Sequence, residues 1–460
     1  MDASTAERFQ TSPRPASVCP AAQYYLPVDL KLAIGGVLFA TIFLTRFQLN
    51  IGSYFASFGL IALYALIPLL LLRRLMIPDR LRIQFFLLAI TVPFITYVLH
   101  KDSSSPTSLL LFFVLYAPFT FRMRAHPATP GLWQWTMSTY ANFCFVVACC
   151  GIAQFFLQFV IHSPWLFDFR PYIPDVIRNQ DTFNTTISMG PFYKSNGFFL
   201  LEPSGFSTLM ALAILCELSV FQKKRRLRLG ILGFALILSY SGSGLFALAI
   251  GLMFPLSWKT VGRGLQLGTI AAILFFALGS VLDLNFTLNR IHEFENPNTS
   301  AYARYVAPMT VVSQTLQSTS ASLYIGHGPG TMTPIVQALD LGYQVSDPTW
   351  SKLLVEYGVF GFLFMLVFVV YGLASSATAV EMKASMLFAW LITGGNLLNA
   401  TTTAFIFVVI TIWSASAIRR SGAPRAPTQP LTQPPPGAAR DSGGSAFKRG
   451  RTGTLPGGPR

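Results

Sequence analysis

Charge is scarce in this 460-residue chain. Asp, Glu, Lys and Arg make up only 11% of it, and the acids number 18 against 33 basic residues. A soluble globular protein carries about 25% charged residues, so a soluble fold of this size is excluded. Cysteine is equally sparse, at five. Cys144, Cys149, Cys150 and Cys216 lie inside apolar blocks and Cys19 lies in the N-terminal arm, none at metal-ligand spacing, which excludes a disulfide scaffold. Residues 1–26 lack the apolar core of a signal peptide, so the first apolar block is expected to stay as a helix. The nucleotide and hydrolase signatures are missing too. No Gly-Lys-Ser/Thr follows a glycine loop, Ser204 has no Gly-x-Ser-x-Gly setting, and His292 and His327 lack ligand spacing. No metal and no cofactor is expected.

What is present is apolar: 52% of residues, with a mean hydropathy of +0.52. It comes in long blocks, the signature of transmembrane helices. They fall at about Val28–Leu44, Phe55–Leu72, Ile83–Leu99, Leu109–Phe121, Met137–Ile161, Ser204–Phe221, Leu229–Trp258, Leu265–Leu284, Leu353–Leu373 and Met386–Ala417. The net charge of +15 is explained by position rather than by nucleic acid. Arg73, Arg74, Arg80 and Arg82, then Arg122 and Arg124, then the run Lys223–Arg228 sit just beyond apolar blocks, as expected of cytoplasmic loops. The turn at Lys101–Ser105 then faces outward.

Parity adds two folds. The block Leu229–Trp258 begins and ends at basic residues, so it should enter and leave on one side. It turns at Ser239-Tyr240-Ser241-Gly242-Ser243-Gly244. Lipid cannot satisfy such a turn, so it must sit in a protein-buried or water-lined depression. The block Met386–Ala417 repeats the pattern around Asn399–Thr403. The predicted fold class is an all-α polytopic membrane protein of about twelve transmembrane helices with two larger periplasmic loops. Its parts are a cytoplasmic arm at 1–27, a membrane domain at 28–420 with periplasmic loops near 162–197 and 285–352, and a disordered basic tail at 421–460.

The two outer loops carry much of the polar chemistry, including Arg178, Lys194, Arg290, Arg304 and Asp347, and basic residues outside run against the topological bias. Glu202 stands just before Pro203, which suits the first turn of a helix running to about Phe221. A carboxylate beside an apolar block is costly unless solvated or paired. Glu202 therefore either caps its helix or pairs with Lys194, or it lines a site that opens outward. Ile325-Gly326-His327-Gly328-Pro329-Gly330-Thr331 is a permissive turn, read either as an ordinary loop or as an approach for an anion.

Four segments in order resemble the O-antigen polymerase and ligase family, the Wzy type. They are Lys194-Ser195-Asn196-Gly197 with Glu202-Pro203-Ser204, then Leu238–Leu245, then Ser300–Arg304 leading to Gly326–Gly330, then Leu354–Gly361. Together they cover roughly residues 190–420. The family often has Arg where Lys194 and Gly242 stand, and its ligases carry a His where this chain has Asp347. The resemblance implies a polysaccharide polymerase of an O-antigen, capsule or exopolysaccharide. Such an enzyme moves a glycan from an undecaprenyl-diphosphate carrier onto a second lipid-linked repeat unit at the periplasmic face of the inner membrane. The alternatives are a ligase, or a lipid-linked sugar transporter or flippase. The implied site places Lys194 and Arg304, with Arg290 and Arg178 behind them, on the diphosphate. Asp347 or Glu202 is the base. The implied partners are the lipid-linked oligosaccharide, membrane lipid, a chain-length regulator and a flippase, with no nucleic acid.

Overall fold

The computed structural model describes residues 27–51, 54–179, 188–189, 192–221, 226–255, 262, 269, 294–297, 299–316, 320–393 and 395–422. Nine of the ten apolar blocks are described and become helices, with ends moved by up to eight residues, as where the fifth helix starts at Thr129 rather than Met137. They are α1 (Val28–Phe43), α2 (Phe58–Leu72), α3 (Arg80–Leu99), α4 (Pro106–Tyr116), α5 (Thr129–Leu157), α6 (Pro203–Ser219), α7 (Arg226–Leu238) and α8 (Gly242–Met253). After the second long loop come α9 (Ala307–Leu316), α10 (Ser320–Ile325), α11 (Met332–Leu339), α12 (Thr349–Ala374), α13 (Val380–Ile392), α14 (Ala400–Ile406) and α15 (Ala415–Gly422). The start signals are local. Ser57, Asp79 and Ser105 each accept a backbone N–H from the first turn of α2, α3 and α4, the bond that satisfies an otherwise orphaned donor. α3, α5 and α12 are long and apolar enough to cross a membrane, and several shorter apolar helices pack beside them. The block expected at Leu265–Leu284, the arm at 1–26 and the tail from 423 lie outside the described residues.

Three short antiparallel ribbons supplement the helices. They are β1 (Gln48–Ile51) with β2 (Tyr54–Ser57), β3 (Met76–Pro78) with β4 (Phe121–Met123), and β5 (Ser188–Met189) with β6 (Phe192–Tyr193). An all-helical reading has no place for them. They use the few residues between helices to satisfy backbone groups that a bare loop would leave open.

One end of the bundle gathers the basic loops. Arg122 pairs with Asp79 at 2.6 Å, and β3 and β4 join the two loops that carry them. Arg82 is fully buried there, donating to the carbonyls of Phe121 and Thr411 and to Ser375 Oγ at 2.8–2.9 Å. The sequence suggests only an orienting charge at this position. In the fold it ties the ends of α4, α12 and the final helical block together.

Both interrupted blocks turn back. Arg228, at the start of α7, meets Glu217 near the end of α6 at 2.9 Å. The far end of α7 reaches the other end of α6, where Ser195 N–H donates to Leu238 carbonyl at 3.2 Å. α8 then returns along α6: Gly244 lies against Ser207 and Gly251 against Leu215. The two arms flank α6. Likewise α13 leaves from beside Ser376, and the return through α14 comes back to it, with Ala377 N–H bonded to Trp413 carbonyl at 2.6 Å.

Candidate active site

Glu202 occupies the N-cap position of α6, but its side chain makes no capping bond. It accepts from Arg304 Nη2 at 2.7 Å and from the Ser204 hydroxyl instead. So the carboxylate does not cap its own helix; it pairs with Arg304, from the other loop. Arg304 sits in a π-helical turn, Tyr302–Val306, immediately before α9. Such turns widen the helix and re-aim side chains, and they are frequent at functional sites. Glu202 and Arg304 both keep part of their side chains exposed.

The stretch before Glu202 is not an open loop. Ser195 and Asn196 are fully buried, and Lys194 is only 8% exposed. Gln154 of α5 explains this. Its Oε1 accepts from the Ser195 hydroxyl and the Asn196 N–H, and its Nε2 donates to Asn196 Oδ1, all at 2.8–3.1 Å. Gly197, at φ +69°, lets the chain turn against Phe206 where a Cβ would collide. Arg46 braces the same segment from the end of α1. It is fully buried and donates to the Phe167 and Leu200 carbonyls at 2.7 and 2.9 Å, with Asp168 3.3 Å away. Burial lowers its guanidinium to about 10, partly offset by Asp168, so it stays charged. Burial would raise the Asp168 carboxyl, but hydrogen bonds and charge from Arg170, with Arg46 behind, hold it below its ordinary value.

Asp347 comes to the same place through backbone. Ser346 N–H donates to the Ala303 carbonyl at 2.9 Å, beside Arg304, and Tyr302 packs edge-on to Tyr343. The Asp347 carboxylate is held by Lys352 at 2.8 Å, and Lys352 lies 4.0 Å from the fully buried Glu356. Neither Lys352 nor Glu356 was assigned a role from the sequence. Only the i, i+4 spacing of the two hinted at them.

The glycine turn has a structural explanation. α12 breaks at Gly358, at φ 65°, and the break frees carbonyls of the preceding turn. His327 N–H and Gly328 N–H take those of Val355 and Glu356 at 3.0 and 2.8 Å. Gly326 and Gly358 let the two backbones touch, since a Cβ on either would stand 2.4 Å from main-chain atoms of the other segment. Gly328 and Gly330 pack against the side chains of Ser104 and Ser105, and Ser105 N–H donates to Pro329 carbonyl at 2.8 Å, which places the turn at Lys101–Ser105 at this end of the bundle.

The tips of both folded-back blocks supply the floor. Ser243 Oγ lies 3.3 Å from Ser207 Oγ, and Gly244 N–H donates to Ser207 Oγ at 3.1 Å, one turn below Glu202. From the second tip, Gly395 N–H donates to the Asp347 carbonyl at 3.1 Å, while Tyr116 donates to Leu397 carbonyl at 2.9 Å. The polar turns thus meet protein groups, with Ser239, Ser243 and Leu397 buried and Ser241, Asn396 and Asn399 half-buried. Of the sequence-derived site residues, Glu202, Arg304 and Asp347 converge here and Lys194 lies eight positions before Glu202 in a buried segment. Arg178 pairs with Asp175 beside β1, and no described contact joins it to Glu202 or Arg304. Arg290 lies outside the described residues. Among the described residues, no three His, Cys, Asp or Glu side chains gather as a metal-ligand set.

The family model of the WcaD colanic acid polymerases matches residues 35–415, which include every part of this site. The chain belongs to the WcaD colanic acid polymerase family. The resemblance read from four short segments is borne out, and with it the assignment as a membrane-embedded polysaccharide polymerase. Neither the ligase nor the transporter reading is favoured. A comparison with curated proteins finds no match. The matched span stops before the basic tail, so the polymerase's family features reside in the helical unit that ends at Gly422.

Proposed function

We propose that this polymerase extends a polysaccharide at the periplasmic face of the bacterial inner membrane, by direct displacement at a sugar anomeric carbon. The donor is a glycan on a polyprenyl diphosphate, and the acceptor is a hydroxyl of a second lipid-linked repeat unit. The convergence of Glu202, Arg304 and the Asp347 loop over two polar helix breaks carries this reading. As the glycosidic bond breaks, negative charge gathers on the leaving diphosphate. Arg304 and Lys194 are fixed cations at that end of the bundle, and such preorganised charge lowers the barrier without reorganisation. The family resemblance adds Arg290, outside the described residues, as a further cation for the diphosphate. Glu202 holds Arg304 in place between turnovers and frees its fork as the diphosphate arrives. Asp347 takes the proton of the attacking hydroxyl, and Lys352 orients it. No metal ion is required in this scheme. The anomeric centre inverts. The full topology has about twelve spans, with the site end outward and the basic loops inward.

The test is polymer length in cells deleted for the gene and complemented with variants at matched protein levels. Single repeat units in the deletion strain support polymerisation, whereas loss of lipid-linked units would indicate a flippase. Arg304→Ala and Asp347→Asn should each cost about 10²–10³ in rate. Full-length polymer from Arg304→Ala and Lys194→Ala alike would sink this site.

A further inference from the structure

Two carboxylates are fully buried among the described residues, Glu217 and Glu356. Glu217 meets Arg228 at 2.9 Å at the basic end of the bundle. Glu356 is matched more loosely. Among the described residues its one cation within 4.0 Å is Lys352, which stands at that limit and lies closer to Asp347, at 2.8 Å. The rest of its surroundings is uncharged. Met332 N–H donates to Glu356 Oε1 at 3.4 Å, Gly330 N–H faces the same carboxylate from the glycine turn, and Tyr357 is its neighbour along α12. A buried charge held this way stabilises little, because its desolvation is costly and its ion pair is long. Stability alone does not account for it.

The position of Lys352 supplies a reason. Its ammonium lies between two carboxylates, the part-exposed Asp347 and the buried Glu356. With Asp347 alone it would form a closed neutral pair. A proton arriving on Asp347 would then leave an unbalanced ammonium at the end of the bundle that already holds Arg304. With Glu356 ionised, the three groups carry a net charge of −1. Proton uptake then brings the cluster to neutrality, which is the favourable direction for a weakly solvated group.

We propose that Glu356 is a positioning residue for the general base: it shares the Lys352 ammonium, so that Lys352 aims Asp347 without neutralising it. The proposal rests on Asp347 as the base in the polymerase reading above. Glu356 acts through Lys352 and touches no substrate. In the step it serves, the acceptor hydroxyl gives its proton to Asp347 and its oxygen bonds to the anomeric carbon. The bond from that carbon to the diphosphate oxygen breaks, and its electron pair leaves on the diphosphate. Asp347, whose side chain is 40% exposed, afterwards returns the proton to water.

The full-length protein in nanodiscs, supplied with the lipid-linked repeat unit extracted from the deletion strain, tests this in a polymerisation assay. Glu356→Gln keeps the size and an oxygen for the Met332 N–H, so the melting temperature should hold. Its kcat should fall on the order of tenfold at unchanged KM, the effect of losing one charge two contacts away from the reacting proton. Adding Lys352→Met to Glu356→Gln removes the unopposed ammonium, leaves no buried charge unpaired and should recover part of that loss. A role confined to packing predicts the reverse, a second loss on top of the first. Unchanged kcat for Glu356→Gln, or a double variant slower than the single one, would overturn the proposal. Asp347→Asn tells the two readings apart. If it is fully active, the base assignment falls and takes the role of Glu356 with it; if it is inactive while Glu356→Gln is normal, only the role of Glu356 falls. Acylation of Lys352 by a water-soluble succinimidyl ester, read by peptide mass spectrometry, needs no polymerase activity. It should quicken several-fold in Glu356→Gln, and an equal rate would overturn the proposal even if wild-type protein made no polymer.

Discussion

Arg304 faces two demands, a carboxylate in the resting site and a diphosphate in turnover. Its bond to Glu202 is part-exposed and worth about 1 kcal/mol at most. Arg304→Ala should therefore leave the protein folded while polymer synthesis collapses, measured as melting temperature against polymer length. Arg304→Lys separates charge from geometry. If the planar fork must grip two oxygens, Lys does not restore activity. Lys194, expected in an outer loop, is not an exposed residue in the fold. It is nearly buried behind Ser195 and Asn196, so the larger guanidinium of Lys194→Arg must be accommodated, and Lys194→Ala carries some stability cost as well as a rate cost. His327 adds a pH dependence. Burial lowers its imidazole below the ordinary value, His100 adds to this, and a hydrogen bond to backbone Thr315 partly opposes it. A lowered folded value means that the unfolded chain takes up the proton first as pH falls. Stability is then complete above the ordinary imidazole value and is lost as pH drops through the lower folded one. Melting in detergent from about pH 7.5 to about pH 5.5 should show this loss, and His327→Gln should flatten it.

Glycines decide the fit between elements. Gly326 and Gly358 are interlocked at positive φ where the loop closes the break in α12. Alanine at either costs about 1–3 kcal/mol from backbone strain alone, before the collision with the facing main chain. Gly358→Ala should lower the yield of folded protein, read as monodisperse material after extraction. Gly244→Ala should do so too, because its Cβ would stand 2.4 Å from the Ser207 backbone and pry α8 from α6. Gly233 is the contrast. It lies inside α7 with nothing within 4 Å of a Cβ, so Gly233→Ala should stabilise by about 0.5–1 kcal/mol through helix propensity. A drop in melting temperature for Gly233→Ala would mean that this face of α7 has a close partner.

Across the whole molecule, the basic loops and the site lie at opposite ends of α3, α6 and α12. Arg82 and Ser375 mark one end of α3 and α12; Asp347, Glu202 and the glycine turn mark the other. If the basic end is cytoplasmic, a single cysteine at the exposed Lys101 should react with an impermeant maleimide in spheroplasts, while one at Arg74 should not. Labelling at Arg74 would invert the orientation and place the site in the cytoplasm. The family match ends at residue 415 and the compact helical unit at Gly422. Truncation after Gly422 should leave polymer length unchanged, and a shorter polymer at equal protein level would assign the tail a partner.

Membrane class, the helix boundaries of most blocks and the two folded-back segments were legible in the sequence, because each depends on local quantities. Run length and charge at the junctions are both read within a few residues. Glu202 was legible as a carboxylate beside an apolar block, and Arg304 and Asp347 as polar residues of an outer loop whose roles the family resemblance implied. Their partners were not. Gln154 behind the Lys194 segment and Lys352 with Glu356 behind Asp347 look like ordinary helix residues until the helices pack. The bond from Arg304 to Glu202 spans about a hundred positions, and the glycine turn could be told from an anion loop only once Gly358 was seen across from Gly326. Periodicity and charge placement act along the chain and so determine which segments enter the membrane. Which side chains meet is decided by long-range packing, where a few ångströms between helix ends separate an ion pair from two unrelated charges.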